Sequence, residues 1–495
     1  MSTVDVSTRL GPVRGVSRGT THQFLGLRYA EPPGRYLPCR PVRPWTSTYD
    51  ATAMREQCHQ RPGINIPTGR RFADGLGPLP DAPMSEDCLF LNIYVPAAPV
   101  STARPVLVWV HGGGFWEGSA NGFDGSVLCV TADAVVVIVS YRVGYLGVAD
   151  LRGLGGDYAG SVNLWHQDQI AALQWVHDNI GDYGGDPGNV TVLGQSAGGT
   201  STIALAASPR TQGLMHRAVA LSPAFIASNN DQHGALAAVL GIEASAVPEW
   251  LLAATPEELV AVAHAGALPS PFVDGEVIPR NPHEALRNNA VPLICGFTPH
   301  EGQYLNVAMG FDGLSPDTIG LFASFVAHLS ADAVPDDYLD RLLTVTPTDD
   351  PLVFADLVWT DLIRCSSVLA AEATARSGAA AWHYLFDVPG NLLGHPMEST
   401  HCVDIPFTFG LFEIPERARY LWVTDDEANR ELAQRWMQMI GTFARTGSPG
   451  GSLGHWPRYD ESSRHSLHVT SGHCTVLTDL DATHREKVWT RSVPL

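Results

Sequence analysis

Residues 134–140 read Ala-Val-Val-Val-Ile-Val-Ser, a run apolar on both faces of an extended chain. Such a run suits a strand covered from both sides, as in a parallel sheet held between layers of helices. Residues 105–110, Pro-Val-Leu-Val-Trp-Val, form a second run that ends at a glycine cluster. Ile170, Leu173, Val176 and Ile180 then recur at helical spacing within 168–180. Residues 189–194 read as a strand and 197–207 as a helix of small residues. Further strands are predicted at 218–221, 293–296 and 382–386, and a C-terminal helix at 427–444, before Gly447 and Pro449. This alternation defines an α/β architecture with a mostly parallel central sheet and helices on both faces. Two Ala-rich helical stretches, near 229–292 and 311–380, interrupt it. No Gly/Ser- or Pro-rich linker isolates either, so 1–495 reads as a single domain with two helical insertions.

Composition narrows the function. With 45% hydrophobic and 17% charged residues among 495, the chain has ample material for a large core and is not a disordered polymer. A net charge of −20 and the lack of any Lys/Arg-rich run exclude a nucleic-acid partner. No apolar stretch approaches ~18 uninterrupted residues, so no membrane span is expected. The first residues lack a basic segment followed by an apolar one, so no secretory signal is expected and a cytoplasmic location follows. Eight scattered cysteines form no C-x-x-C pair, and no H-E-x-x-H occurs; neither a metal nor a cofactor is expected. Oligomeric state is left open.

G-x-S-x-G occurs three times, centred on Ser17, Ser196 and Ser452. A nucleophilic serine of this kind needs a strand before it and a helix after it, so that the turn lifts the hydroxyl clear of the sheet. Only Ser196 has both. Ser17 lies in an extended N-terminal segment and Ser452 in a Gly/Pro loop. A serine hydroxyl also needs a base to take its proton and donors to hold the oxyanion. His111-Gly112-Gly113-Gly114-Phe115 follows the strand at 106–110. Its glycines leave the backbone N–H groups of Gly113 and Gly114 free to point at a substrate, with Ala197 supplying a third donor.

The segment Ser85-Glu86-Asp87-Cys88-Leu89-Phe90-Leu91-Asn92 resembles a signature of the type-B carboxylesterases. Residues 24–33, 111–115, 174–180 and 184–199 match further motifs of that family in order. The chain is thereby identified as resembling a bacterial member of the carboxylesterase/cholinesterase family of α/β-hydrolases. The resemblance implies the α/β-hydrolase fold, a small-molecule ester substrate and a Ser-Glu-His triad. Thr298-Pro299-His300-Glu301-Gly302 resembles the family's acid motif and assigns Glu301; Ser399-Thr400-His401-Cys402 resembles its histidine loop and assigns His401. His401 would take the Ser196 proton and return it to the leaving group, and Glu301 would orient the imidazole. An amide or carbamate hydrolase would use the same triad. A catalytically inactive binding member would lack part of it, and a membrane-acting lipase would need a lid that no sequence pattern marks. His300 and His395, close to these motifs, read as surface or structural histidines.

Several positions depart from the family pattern. Gln195 stands before the nucleophile in place of the usual Glu. Ser222-Pro223-Ala224 replaces Ser-Gly-Ser, which predicts the loss of a supporting hydroxyl near Glu301. Cys58 and Cys88, which in the family commonly close a disulfide loop, are expected to be close, with the bond itself undecided. The segment between them has no tryptophan, whereas cholinesterases carry one there, so no preference for quaternary-ammonium esters is expected. Phe115, Trp116 and Gln195 are candidate pocket residues. Trp165 reads as core.

Overall fold

A polar side chain on a strand such as Val135–Val139 would have nowhere wet to point: all five residues are buried. Residues 106–110 and Leu293–Phe297 are buried throughout as well, and Arg104 at the start of the first of these strands reaches out to the exposed Asp133. The computed structural model describes residues 2–490, apart from 33, 61–82, 100, 229–230, 309–313, 331–333, 393–394 and 415–422. These strands form the middle of one large twisted sheet. Its strands are β1 (Ser2–Thr8), β2 (Gly11–Arg18), β3 (Thr21–Arg28), β4 (Phe90–Pro96), β5 (Arg104–Val110), β6 (Val135–Val139), β7 (Gly185–Gln195), β8 (Arg217–Leu221), β9 (Leu293–Phe297), β10 (Ala381–Phe386), β11 (His465–Val469) and β12 (Thr475–Thr478), apart from the two-residue strand Tyr49–Asp50, which pairs with β2. The spatial order is β1-β2-β3-β4-β6-β5-β7-β8-β9-β10-β11-β12. From β6 to β11 all neighbours are parallel; the β1–β4 meander and β12 add antiparallel edges.

Alternate residues of the central strands enter two separate cores, as the two-residue period of a strand requires. Val106, Val108 and Val110 face the core that holds Ile170, Leu173 and Val176 of α1 (Leu164–Asn179) and Ile203 of α2 (Ala197–Ala207). Leu107 and Trp109 face the opposite core, built on Leu432, Trp436 and Ile440 of the C-terminal helix Glu427–Thr446. The predicted core role of Trp165 holds: it is fully buried, packs on Phe115 at 4.7 Å, and donates its indole N–H to Asn163 at 3.0 Å.

The 229–292 stretch contains the helices Gln232–Leu240, Val247–Ala253, Pro256–His264 and Pro282–Asn289. Later come α3 (Glu301–Ala308), α4 (Pro316–Leu329) and α5 (Pro351–Arg376). The long α5 packs across α3, α4 and strands β9 and β10, and so carries the second insertion onto the sheet. Among the described residues no single helix is long and apolar enough to cross a membrane.

An arginine–carboxylate pair lies wholly inside. Arg142, just beyond β6, meets Asp168 of α1 in a bidentate ion pair at 2.6 and 2.8 Å. The Arg142 backbone N–H also donates to Asp168. Isolated, either charge would be very costly there.

Candidate active site

Strand β7 ends at Gln195 and α2 begins at Ala197, so Ser196 occupies the turn between them. Its φ of 59° and ψ of −125° lie where a non-glycine residue stores ~1–3 kcal/mol of strain. The flanking glycines explain how the turn closes. A Cβ at Gly194 would stand 2.4 Å from the Gly198 carbonyl oxygen, one at Gly198 2.0 Å from that of Val110, and one at Gly199 2.6 Å from that of Leu221. Only hydrogen fits at these three points, which lets α2 start directly above the sheet. The other two G-x-S-x-G serines lack this setting. Ser17 is on β2, and Ser452 donates its hydroxyl to the Arg435 carbonyl at 3.0 Å.

The glycine loop after β5 lies beside the elbow. A Cβ on Gly112 would come within 2.7 Å of the Gln195 carbonyl. Gly113 and Gly114 have φ of 104° and 62°, and the Gly113 carbonyl turns away to accept N–H bonds from Trp116 and Glu117. Neither the Gly113 nor the Gly114 amide donates a hydrogen bond among the described residues. The loop is pinned from three sides. Tyr141 stacks on His111 at 4.2 Å and donates to its carbonyl. Gln60 exchanges two hydrogen bonds with Gly118, and Trp116 donates its indole N–H to Pro269.

Glu301 opens α3 just past β9, and His401 follows on a turn 100 residues later. Both are buried, and Glu301 Oε2 contacts His401 Nδ1 directly. The other carboxylate oxygen accepts two hydrogen bonds, from the Thr298 N–H at 2.7 Å and the Ser222 hydroxyl at 2.7 Å. This corrects the sequence reading: Ser222 itself supplies the supporting hydroxyl expected to be missing. It does so because its φ of 47°, at the end of β8, turns the side chain back toward β9. The Glu301 turn is tied to α5 as well. Asp356 accepts from the Gly302 N–H at 2.9 Å and contacts His300 Nδ1 at 3.0 Å. His300 is thus structural, as expected; the hydrogen bond and charge of Asp356 raise its pKa above the ordinary value. The His395 side chain lies outside the described residues.

Burial disfavours a proton on His401, but Cys402 and Glu301 beside it outweigh that and hold its pKa well above the ordinary value. Nε2 lies 3.2 Å from the Gln195 amide nitrogen, and the Gln195 carbonyl oxygen accepts the Cys402 thiol at 3.3 Å. The Ser196 hydroxyl shares the cavity with His401 and makes no hydrogen bond among the described residues. Three residues beyond His401, Asp404 is buried in the same turn. Desolvation, with the Glu301 charge nearby, pushes its carboxyl up to about 7. The sequence reading singles out the Ser222 segment only as lacking a hydroxyl, and it gives Asp404 no role in this network.

Ser196, His401, Gly113, Gly114 and Ala197 all line one cavity of about 220 Å³. Phe115, Trp116 and Gln195, expected as pocket residues, line it too. The far wall could not be read locally from sequence: Phe225 comes from beyond β8, and Trp359, Leu362 and Ile363 from α5. Cys58 and Cys88 are close, as expected, within hydrogen-bonding contact, and both are free thiols.

A serine on a strained strand-to-helix turn, a glycine loop with unengaged amides, and a carboxylate-bound histidine in one cavity define a serine hydrolase of α/β fold. Comparison with known proteins makes this specific. The chain matches the model of the Carboxylesterase family over residues 2–489 and belongs to that family. It is 30% identical to the para-nitrobenzyl esterase of Bacillus subtilis, over 98% of each chain. It is 34% identical to the liver carboxylesterase of Sus scrofa, over 88% of this chain and 83% of that one. A solved structure of a PNB esterase superposes with a TM-score of 0.83 at 28% identity, covering 99% of this chain and all of that one. The Geobacillus stearothermophilus carboxylesterase superposes with a TM-score of 0.77 at 28% identity, covering 98% of this chain and all of that one. The protein is a serine carboxylesterase acting on small-molecule carboxylic esters.

Proposed function

We propose that Ser196 is the acylated nucleophile, His401 the general base and acid, and Glu301 the group that orients His401. The observation that carries this reading is that His401, held from behind by Glu301, lines the cavity that Ser196 enters from its strained turn. When an ester binds, the Ser196 hydroxyl turns to His401 Nε2, loses its proton and attacks the carbonyl carbon. The N–H groups of Gly113, Gly114 and Ala197 receive the developing oxyanion. The tetrahedral adduct collapses, the ester C–O bond breaks, and His401 returns the proton to the departing alcohol. Water then repeats the sequence on the acyl-enzyme and releases the acid. Glu301 orients the ring and stabilises the imidazolium that forms in each half-reaction.

The preferred substrates are neutral esters with short acyl or aromatic groups. Trp116, Phe225, Trp359, Leu362 and Ile363 give the cavity an apolar wall, and the three-glycine loop leaves room for bulky, even tertiary, alcohols. The test is hydrolysis of p-nitrophenyl acetate by Ser196→Ala, His401→Ala and Glu301→Ala. The first two should lower kcat by ~10⁴-fold or more and the third somewhat less. Full activity in Ser196→Ala, or its loss in Ser452→Ala instead, contradicts the assignment. Butyrylthiocholine against its neutral isostere 3,3-dimethylbutyl thiobutyrate tests the substrate class. A kcat/KM preference above ~30-fold for the cation, worth ~2 kcal/mol, rules out the neutral-ester reading.

A further inference from the structure

We infer that Gln195, held in place by Cys402, is a positioning residue that biases His401 toward its basic form. This rests on the proposed role of His401 as the general base.

A primary amide has one donor end and one acceptor end, and in the structure the oxygen lies toward Cys402 and the nitrogen toward His401. The Gln195 oxygen accepts the Cys402 S–H at 3.3 Å, which turns the amide nitrogen toward His401 Nε2 at 3.2 Å. Gln195 and Cys402 are both buried, and water is not needed to satisfy either bond. On the other side of the ring Nδ1 is engaged by Glu301, so in the neutral ring Nδ1 carries the proton and Nε2 presents its lone pair. The amide N–H therefore meets a lone pair only when the imidazole is neutral. Protonation at Nε2 would set two N–H groups against each other.

The ring needs such a counterweight. The groups facing it are Glu301 and Tyr304 from α3, Cys402 and Asp404 from its own turn, Ser196 and Gln195 from the elbow, and Glu117 across the cavity from the glycine loop. Glu301 among them favours an imidazolium, which cannot take the Ser196 proton. A glutamate at 195 would add another negative charge about 3 Å from Nε2 and deepen the problem. Glutamine instead rewards the unprotonated ring. Cys402 holds the amide in that sense, since a hydroxyl or thiol at this position can donate to its oxygen and an alanine cannot. When substrate arrives, the Ser196 hydroxyl replaces one N–H donor on Nε2 by another donor, and the ring's protonation state does not change.

The experiment is the pH dependence of kcat/KM for p-nitrophenyl acetate between pH 5 and 8. In Gln195→Glu the acid limb should move up by about one to two pH units. In Gln195→Met, which keeps the bulk and removes the donor, it should move up by about half a unit to one. Cys402→Ser should keep the wild-type limb, and Cys402→Ala should shift toward Gln195→Met. An unmoved limb in Gln195→Glu, a downward shift in Gln195→Met, or equal behaviour of the two Cys402 variants overturns the inference. The same variants are built on Ser196→Ala, and the His401 ring is titrated by NMR with isotope-labelled histidine. That readout needs no turnover. Esterase activity surviving Ser196→Ala would refute the proposed function, whereas a His401 midpoint indifferent to residue 195 would refute the role of Gln195.

Discussion

Replacing Ser222 with alanine removes one of the two fixed donors to Glu301 Oε1 and leaves the Thr298 N–H alone there. The carboxylate is wholly buried, so no water replaces the lost hydroxyl. A hydrogen bond to a charged group is worth ~1.5–3 kcal/mol. Part of that loss is felt before substrate binds. The rest appears in the chemical step of the proposed mechanism, in which Glu301 must hold the His401 ring aligned as Ser196 attacks. At 1.36 kcal/mol per decade, kcat/KM should fall about 10–100-fold. Ser222 adopts a φ of 47°, a strained value for alanine as for serine. Ser222→Gly therefore gives an internal control: it removes the same hydroxyl while relieving the backbone. Both variants should lose activity alike, but Ser222→Gly should melt at the higher temperature. The assay pairs stopped-flow release of p-nitrophenol with thermal unfolding. If both variants stay within about twofold of wild type in kcat/KM, Ser222 does not hold the Glu301 carboxylate, and the correction made from the structure fails.

Asp404 ties stability to pH. Its folded-state value, about 7, stands above the ordinary carboxyl value of 3.8, so the stability it contributes is complete below that ordinary value and is lost as pH rises toward 7. Asp404→Asn should remove this loss and gain on wild type across that window, by at most ~4 kcal/mol; urea titrations at pH 4.5 and 7.5 that show an equal difference would refute it. Gly198→Ala should prevent the elbow from forming, since its Cβ would lie 2.0 Å from the Val110 carbonyl oxygen; the check is covalent labelling by a fluorophosphonate, which should be lost or the protein should fail to fold. Asp168→Asn should destabilise the protein by ~3–5 kcal/mol by leaving Arg142 buried and unpaired, measured by chemical unfolding. Joint replacement of both by apolar residues of similar size should cost far less.

Local pattern carried much of the architecture. Strands buried on both faces need uninterrupted apolar runs, and a helix against a sheet needs a repeat near 3.6, so β5, β6, β7 and α1 could be read within a few residues of their bounds. Ser196 could be separated from Ser17 and Ser452 for the same reason: a strand before and a helix after are properties of neighbouring residues. Glu301 and His401 were harder. Nothing in composition or periodicity joins them across 100 residues, and they were placed by resemblance to family motifs.

What the sequence determined by itself, then, is the run of central strands β5 to β10 with α1, α2 and the C-terminal helix, and the turn on which Ser196 sits, because each depends on interactions a few residues apart. The tertiary structure decided the contacts that set the chemistry. Whether Ser222 reaches Glu301 depends on a backbone torsion at the end of β8 and on the pairing of β8 with β9. The Gln195–Cys402–His401 triangle joins residues more than 200 positions apart, and the Trp359 wall depends on where α5 crosses the site. A hydrogen bond is made or lost over less than an ångström. That distance is fixed by the packing of strands and helices remote in the chain, and no local pattern in the amino-acid sequence records it.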